Sequence, residues 1–207
     1  MTGRLLRRGV LLAGGASRRF GGRPKGLEPL GPRRIADYPL RALEACCDSV
    51  VIASGTNDAA EWFPGVPVIA DVTPGCGALG ALQTALHAAG GGTAVVCAWD
   101  MPFVTAEVLE ALVTAVEEGA TCCVPRHANG LLEPLCGAYG PDCADVATML
   151  LASGERTAHA LFDDLRRRAW PTCELPFDDS AHLFFNVNTA EDLRAATDLL
   201  APRAGHG

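Results

Sequence analysis

The 207-residue chain has a single lysine, Lys25, among its seventeen basic residues. It has no Gly-Lys-Ser/Thr sequence, which excludes a Walker A phosphate loop. It has no Cys-x-x-Cys pair, and none of its five histidines stands at metal-ligand spacing from a cysteine, so zinc and dithiol motifs are excluded. No repeat or low-complexity segment occurs, and no apolar run is long enough to span a bilayer. The nine cysteines are odd in number and include the adjacent pairs Cys46-Cys47 and Cys122-Cys123. They read as reduced thiols, most of them in apolar stretches where a thiol is a small hydrophobe.

What is present is a globular composition, 49% hydrophobic and 20% charged, which argues against disorder for the bulk of the chain. The length suits one large domain or at most two small ones; residues 1–201 are expected to form a single domain, with 202–207 a disordered tail. Basic residues at 1–8 precede an apolar run, 9–16, in the manner of a leader peptide. That run is only strand-length and leads straight into Arg18-Arg19, so a first strand and a cytoplasmic protein are expected. Charge is uneven: residues 1–41 hold ten cations and two acids, a net of +8, and the remainder holds seven and twenty-two, a net of −15, giving −7 overall. An acidic chain with one basic segment is a poor nucleic-acid binder and suits a small polyanion held at one place.

Short apolar runs at 9–13 (GVLLA), 49–53 (SVVIA), 66–70 (VPVIA) and 93–98 (TAVVCA) read as strands covered on both faces. Helical spacing recurs at 35–46, 79–89 and 105–118, the last with Thr105 as N-cap and Gly119 as stop. Such alternation predicts a three-layer, Rossmann-like α/β domain with a predominantly parallel sheet. Beyond Gly119, strands are expected at 120–126 and 131–139 with a turn at Asn129-Gly130. Helices are expected at 141–152 and 157–168, and strands near 169–175 and 183–187. The final helix, 190–200, is expected to be capped by Thr189 with Asp192 at the third position.

Three segments could carry chemistry. Directly after the first strand comes Leu12-Ala13-Gly14-Gly15, then Ser17, Arg19, Gly21, Gly22 and Lys25. The glycines let backbone approach a ligand, Ser17 can donate a hydrogen bond, and Arg19 and Lys25 supply cations for a triphosphate. A second glycine cluster runs from Asp71 through Pro74, Gly75, Gly77 and Gly80. It is a literal G-x-G-x-x-G with Asp100 twenty residues on, the fingerprint of a dinucleotide oxidoreductase using NAD(P). Against that reading, four residues separate the strand from Gly75 where the fingerprint wants a tight turn, and the first glycine loop is left unexplained. The third segment is Trp99-Asp100-Met101-Pro102-Phe103. Asp100, leaving the carboxyl end of a strand, is placed either to bind Mg²⁺ bridging phosphates or simply to cap a turn. Asn186 and Asn188, two apart before the last helix, could line a site or serve as caps.

Together these segments resemble the molybdenum cofactor guanylyltransferases, within nucleotidyltransferases that share an L-A-G-G-x-S-x-R-[MF]-G…K opening. Here that opening is Leu12, Ala13, Gly14, Gly15, Ser17, Arg19, Phe20, Gly21 and Lys25. The guanylyl branch is indicated by the loop from Asp71 through Gly80, by Asp100-Met-Pro-Phe103 and by Phe185-Asn-Val-Asn-Thr189. The resemblance covers about residues 8–200. It implies transfer of GMP from GTP to the phosphate of molybdopterin, with release of pyrophosphate and formation of the guanine dinucleotide cofactor. It also implies that Leu12, Ala13, Gly14, Gly15 and Ser17 hold nucleotide, Lys25 and Arg19 contact phosphates, Asp71 belongs to the guanosine site and Asp100 holds Mg²⁺. Asn186 and Asn188 fall on the acceptor side, and cofactor-delivering proteins and molybdoenzyme chaperones are the implied partners. Ala53, Ala78 and Trp99 depart from the family pattern, and Ala78 keeps a cytidylyltransferase open beside the guanylyl reading. A sugar-phosphate nucleotidyltransferase and a non-catalytic cofactor carrier stay open as well.

Overall fold

The computed structural model describes residues 4–14, 24–56, 58–177 and 182–201. Gly15, Ser17, Arg19 and the tail 202–207 lie outside these described residues. In chain order the elements begin with β1 (Arg7–Leu12), β2 (Pro29–Leu30), β3 (Arg33–Arg34), α1 (Asp37–Cys46), β4 (Ser49–Ser54), α2 (Ala59–Trp62) and β5 (Val68–Ala70). They continue with α3 (Gly77–Ala89), β6 (Thr93–Ala98), α4 (Ala106–Glu117), β7 (Cys122–Arg126), β8 (Cys136–Tyr139), α5 (Cys143–Ala152), α6 (His159–Arg167), β9 (Thr172–Pro176) and α7 (Ala190–Leu200).

Seven strands form one sheet in the order β5-β4-β1-β6-β8-β7-β9, and only β8 runs against the rest. Alternate residues of each central strand enter different cores. Leu11, Ile52, Val95 and Cys97 pack beneath α1 and α4, whereas Val10, Leu12, Val51 and Val96 pack beneath α3, α5 and α6. This double burial is why the strands read as unbroken apolar runs. The nine cysteines are all free, in agreement with the thiol reading. None of the described helices is long and apolar enough to cross a membrane.

Caps fall where expected. Thr105 accepts the Val108 amide at the start of α4, and Thr189 with Asp192 completes a reciprocal capping box on α7. Two strand expectations fail. Residues 183–187 join no ladder; the Val187 amide donates to the Asp100 carbonyl at 2.9 Å, and Phe184 and Val187 bury in separate clusters. The segment therefore crosses the strand ends rather than extending the sheet. The strand expected from 131 begins only at Cys136, because Pro134 has no amide to offer a ladder. The β2–β3 hairpin and α2 carry no signal in hydrophobic period. The hairpin is instead held by a small cluster of Leu30, Ile35, Val187 and Ala196 beneath α7.

Candidate active site

The carboxyl ends of β5, β4, β1 and β6 all open on one edge, and the reversed β8 begins there. A cavity of ≈ 580 Å³ lies along this edge, lined by Leu12, Gly14, Lys25, Ala53, Asp71, Gly75, Trp99, Asp100, Glu133, Asn186 and Asn188 among others. A shallower depression of ≈ 630 Å³ over α1 and α4 carries Glu107, Glu110 and Glu118, which would repel phosphate.

Lys25 opens a 3-10 turn, Lys25–Leu27. Its ammonium forms an ion pair with the Asp100 carboxylate, and both side chains are nearly buried. Lys25 Nζ also donates to Asn188 Oδ1 at 2.6 Å. The turn rests on the indole of Trp99: a Cβ at Gly26 would lie 2.4 Å from Trp99 Cε3, so only glycine fits this approach. Trp99 in turn stacks on Trp62 with ring centroids 5.9 Å apart.

The opposite end is built by the second glycine loop. Gly75 and Gly77 have φ of +76° and +63°, and Gly80 admits the loop against α3, since a Cβ there would be 2.8 Å from Cys76 Cβ. Thr84 Oγ1 accepts the Val72 amide at 3.0 Å, and the Thr73 hydroxyl donates to Gln83 Oε1 at 2.7 Å. The amino end of α3 thus faces the cavity, an arrangement favourable to anions. Asp71 stands beside Gly55, and burial pushes its carboxyl above the ordinary range. Gly75 and Gly77 do not serve a dinucleotide fold. The strands flanking α3, β5 and β6, are separated by β4 and β1, whereas the fingerprint requires neighbouring strands.

Leu12, Gly14, Lys25, Asp71, Asp100, Asn186 and Asn188 are therefore brought to one cavity. Ala13 stands at its back: its amide donates to Ala53 O at 2.8 Å and its carbonyl accepts the Ser54 hydroxyl at 3.0 Å. Asn186 and Asn188 reach the cavity without a strand. Asn188 is aimed by the α7 cap, its amide donating to Asp192 Oδ2 at 2.9 Å, and Asn186 Nδ2 donates to Phe184 O at 3.2 Å. Sequence reasoning missed Glu133. Its one visible signal is its place before Pro134, where an expected strand must break.

The donor set suits a divalent cation held jointly by protein and phosphate oxygens. Among the described residues no group of three His, Cys, Asp or Glu side chains could hold a metal. Asp100, one carboxylate of the cavity, fits a cation such as Mg²⁺ that draws most of its shell from substrate phosphates and water.

Fold and site together define a nucleotidyltransferase. The model for the MobA-like NTP transferase domain matches residues 9–169, and the chain belongs to that family. It is 32% identical over 190 residues to the molybdenum cofactor guanylyltransferase of Desulfosudis oleivorans, covering 91% of this chain and 93% of that one. It is 36% identical over 193 residues to a probable molybdenum cofactor guanylyltransferase of Mycobacterium tuberculosis H37Rv, covering 90% and 91%. Among solved structures, molybdopterin-guanine dinucleotide biosynthesis protein A from Archaeoglobus fulgidus superposes with a TM-score of 0.75 at 27% identity, covering 94% and 98%.

Proposed function

We propose that this cytoplasmic enzyme transfers GMP from GTP to the phosphate of molybdopterin, with Mg²⁺ as its metal. The observation that carries the reading is the Lys25–Asp100 pair at the centre of a glycine-lined cavity, in a chain whose curated relatives bear that activity in their names. An oxygen of the acceptor phosphate attacks the α-phosphorus of GTP. The bond from that phosphorus to the β-phosphate's bridging oxygen breaks, and pyrophosphate leaves. The attacking group is already anionic near neutral pH, so no general base is needed; the task is to neutralise repulsion and align the reacting groups.

The backbone of Leu12 and Gly14, supported from behind by Ala13, cradles the nucleotide with Gly15 and Ser17, and Asp71 accepts N–H donors of the base. Lys25, with Arg19, balances phosphate charge, and Asn188 holds the Lys25 ammonium in line. Asp100, with phosphate oxygens, would hold Mg²⁺, which when bound supplies charge stabilisation at the bridging oxygens. Asn186 and Asn188 face the acceptor. GTP and molybdopterin are the partners this step requires; cofactor-delivering proteins and molybdoenzyme chaperones are proposed as further ones.

The test is pyrophosphate release by the purified chain with molybdenum cofactor and each of the four nucleoside triphosphates, with and without Mg²⁺. GTP and Mg²⁺ together are expected to be required. Release with CTP alone would reassign the base, and release with none would remove the function.

A further inference from the structure

Glu133 is a third carboxylate in the cavity, beside Asp71 and Asp100, and nothing in the transfer above employs it. Its backbone is fixed on both sides: its amide donates to Pro125 O at 3.0 Å and its carbonyl accepts the Cys136 amide at 3.1 Å. Its side chain is only 17% exposed. His127 Nε2 lies 4.0 Å from Oε2, and Leu135, His127 and Asn186 all favour the charged form of the carboxylate. Burial nevertheless holds its acidity below that of an ordinary glutamate.

Strand order places Glu133 relative to the other two carboxylates. Neighbouring strands lie about 4.8 Å apart. Asp71 follows β5, three strand intervals or about 14 Å from β6, which delivers Asp100. Glu133 precedes β8, the next strand on the other side of β6. Asp100 and Lys25 thus stand between two carboxylates, one toward each end of the edge. A nucleotide whose base reaches Asp71 leaves the Glu133 end to the acceptor.

A buried carboxylate beside a phosphorylated acceptor is repulsive unless that acceptor brings hydrogen-bond donors to it. A carboxylate offers about four lone-pair sites. Two of them suit a pair of parallel N–H donors. An aminopyrimidinone ring, with a ring N–H beside an exocyclic amino group, presents such a pair, and a pterin carries this ring. We propose that Glu133 is the acceptor-specificity residue, receiving the paired N–H donors of the acceptor's aminopyrimidinone head. This rests on the function proposed above.

The experiment compares the wild-type chain with Glu133→Gln, in which one acceptor oxygen becomes a donor. A hydrogen bond to a charged group contributes about 1.5–3 kcal/mol, or about 10–150-fold. The KM for molybdenum cofactor is expected to rise within that range, while the KM for GTP and the thermal shift given by Mg-GTP stay unchanged. The unchanged shift would show that the fold and the nucleotide site survive. As a second arm, pterin and lumazine, which differ at the 2-amino position, are compared as competitors of the acceptor. Wild type is expected to favour pterin and Glu133→Gln to lose the preference. An altered KM for GTP with acceptor KM unchanged would overturn the inference, as would a change under twofold in both. Wild type that turns over normally but treats pterin and lumazine alike would overturn it too. Wild type that prefers pterin yet releases no pyrophosphate would overturn the proposed function instead.

Discussion

Gly26→Ala tests how the site is held together. The new Cβ would lie 2.4 Å from Trp99 Cε3 and 2.6 Å from Cδ2. Carbon atoms prefer about 3.5–4.0 Å, so the overlap exceeds 1 Å. Trp99 cannot easily retreat: it is 3% exposed and backed by the Trp62 ring. The strain then falls on the Lys25–Leu27 turn, which is anchored by the Ala36 amide donating to Gly26 O at 2.9 Å. Overpacking of this kind costs about 1–3 kcal/mol. At about 2–4 °C per kcal/mol for a chain of this size, Tm should fall by about 2–12 °C. Displacing the Lys25 ammonium by about 1 Å from its alignment should cost about 10²-fold in turnover. The partner variant is Trp99→Leu. It opens space beneath Gly26 and removes an indole N–H that is buried without a hydrogen-bond acceptor among the described residues. In the double variant Gly26→Ala/Trp99→Leu the stability losses should fall short of their sum by about 1–3 kcal/mol. Scanning fluorimetry and pyrophosphate release measure both effects. Losses that add within about 0.5 kcal/mol, or a Gly26→Ala chain of unchanged Tm and turnover, would refute the packing argument.

Lys25→Met and Asp100→Asn should each lower turnover by about 10² or more, as expected for loss of preorganised charge; under threefold in both would remove their proposed roles. Lys25→Met also leaves a buried carboxylate unpaired, so the double variant should melt above Lys25→Met alone. Burial raises the folded-state pKa of Asp71, so its contribution favours the fold at low pH and is lost as pH rises through that value. GTP binding, which uses the charged form, runs the opposite way: affinity should weaken as pH falls through the raised pKa, and Asp71→Asn should flatten the profile in calorimetric titration. Cys76 lines the cavity and is partly exposed, so Mg-GTP should protect it from iodoacetamide, as followed by mass spectrometry of its peptide. Equal labelling with and without nucleotide would place the nucleotide elsewhere.

Much of the architecture was legible because it rests on local rules. Residues 93–98 read as a strand because both faces are buried, and all six are buried. Thr105 and Thr189 announced their helices because a capping hydroxyl satisfies amides two or three residues away. The same local rules misled at 183–187, where apolar residues are spent on two separate clusters, and at 131–135, where Pro134 interrupts pairing. Glu133 escaped notice because its one local signal, the following Pro134, marks a break in a strand and says nothing of a cavity.

The chain by itself determined its central strands, its longer helices, their threonine caps and the second glycine loop, since each follows from periodicity or from neighbours within a few residues. It also offered candidate site residues, among them one lysine in the basic segment. Only the tertiary structure decided the strand order, which parts β5 from β6 and dismisses the dinucleotide reading. That same order joins Lys25 to Asp100 across 75 positions and to Asn188 across 163, and carries Glu133 to the side of Asp100 opposite Asp71. Contacts over such separations depend on how whole elements pack, and no local pattern encodes them.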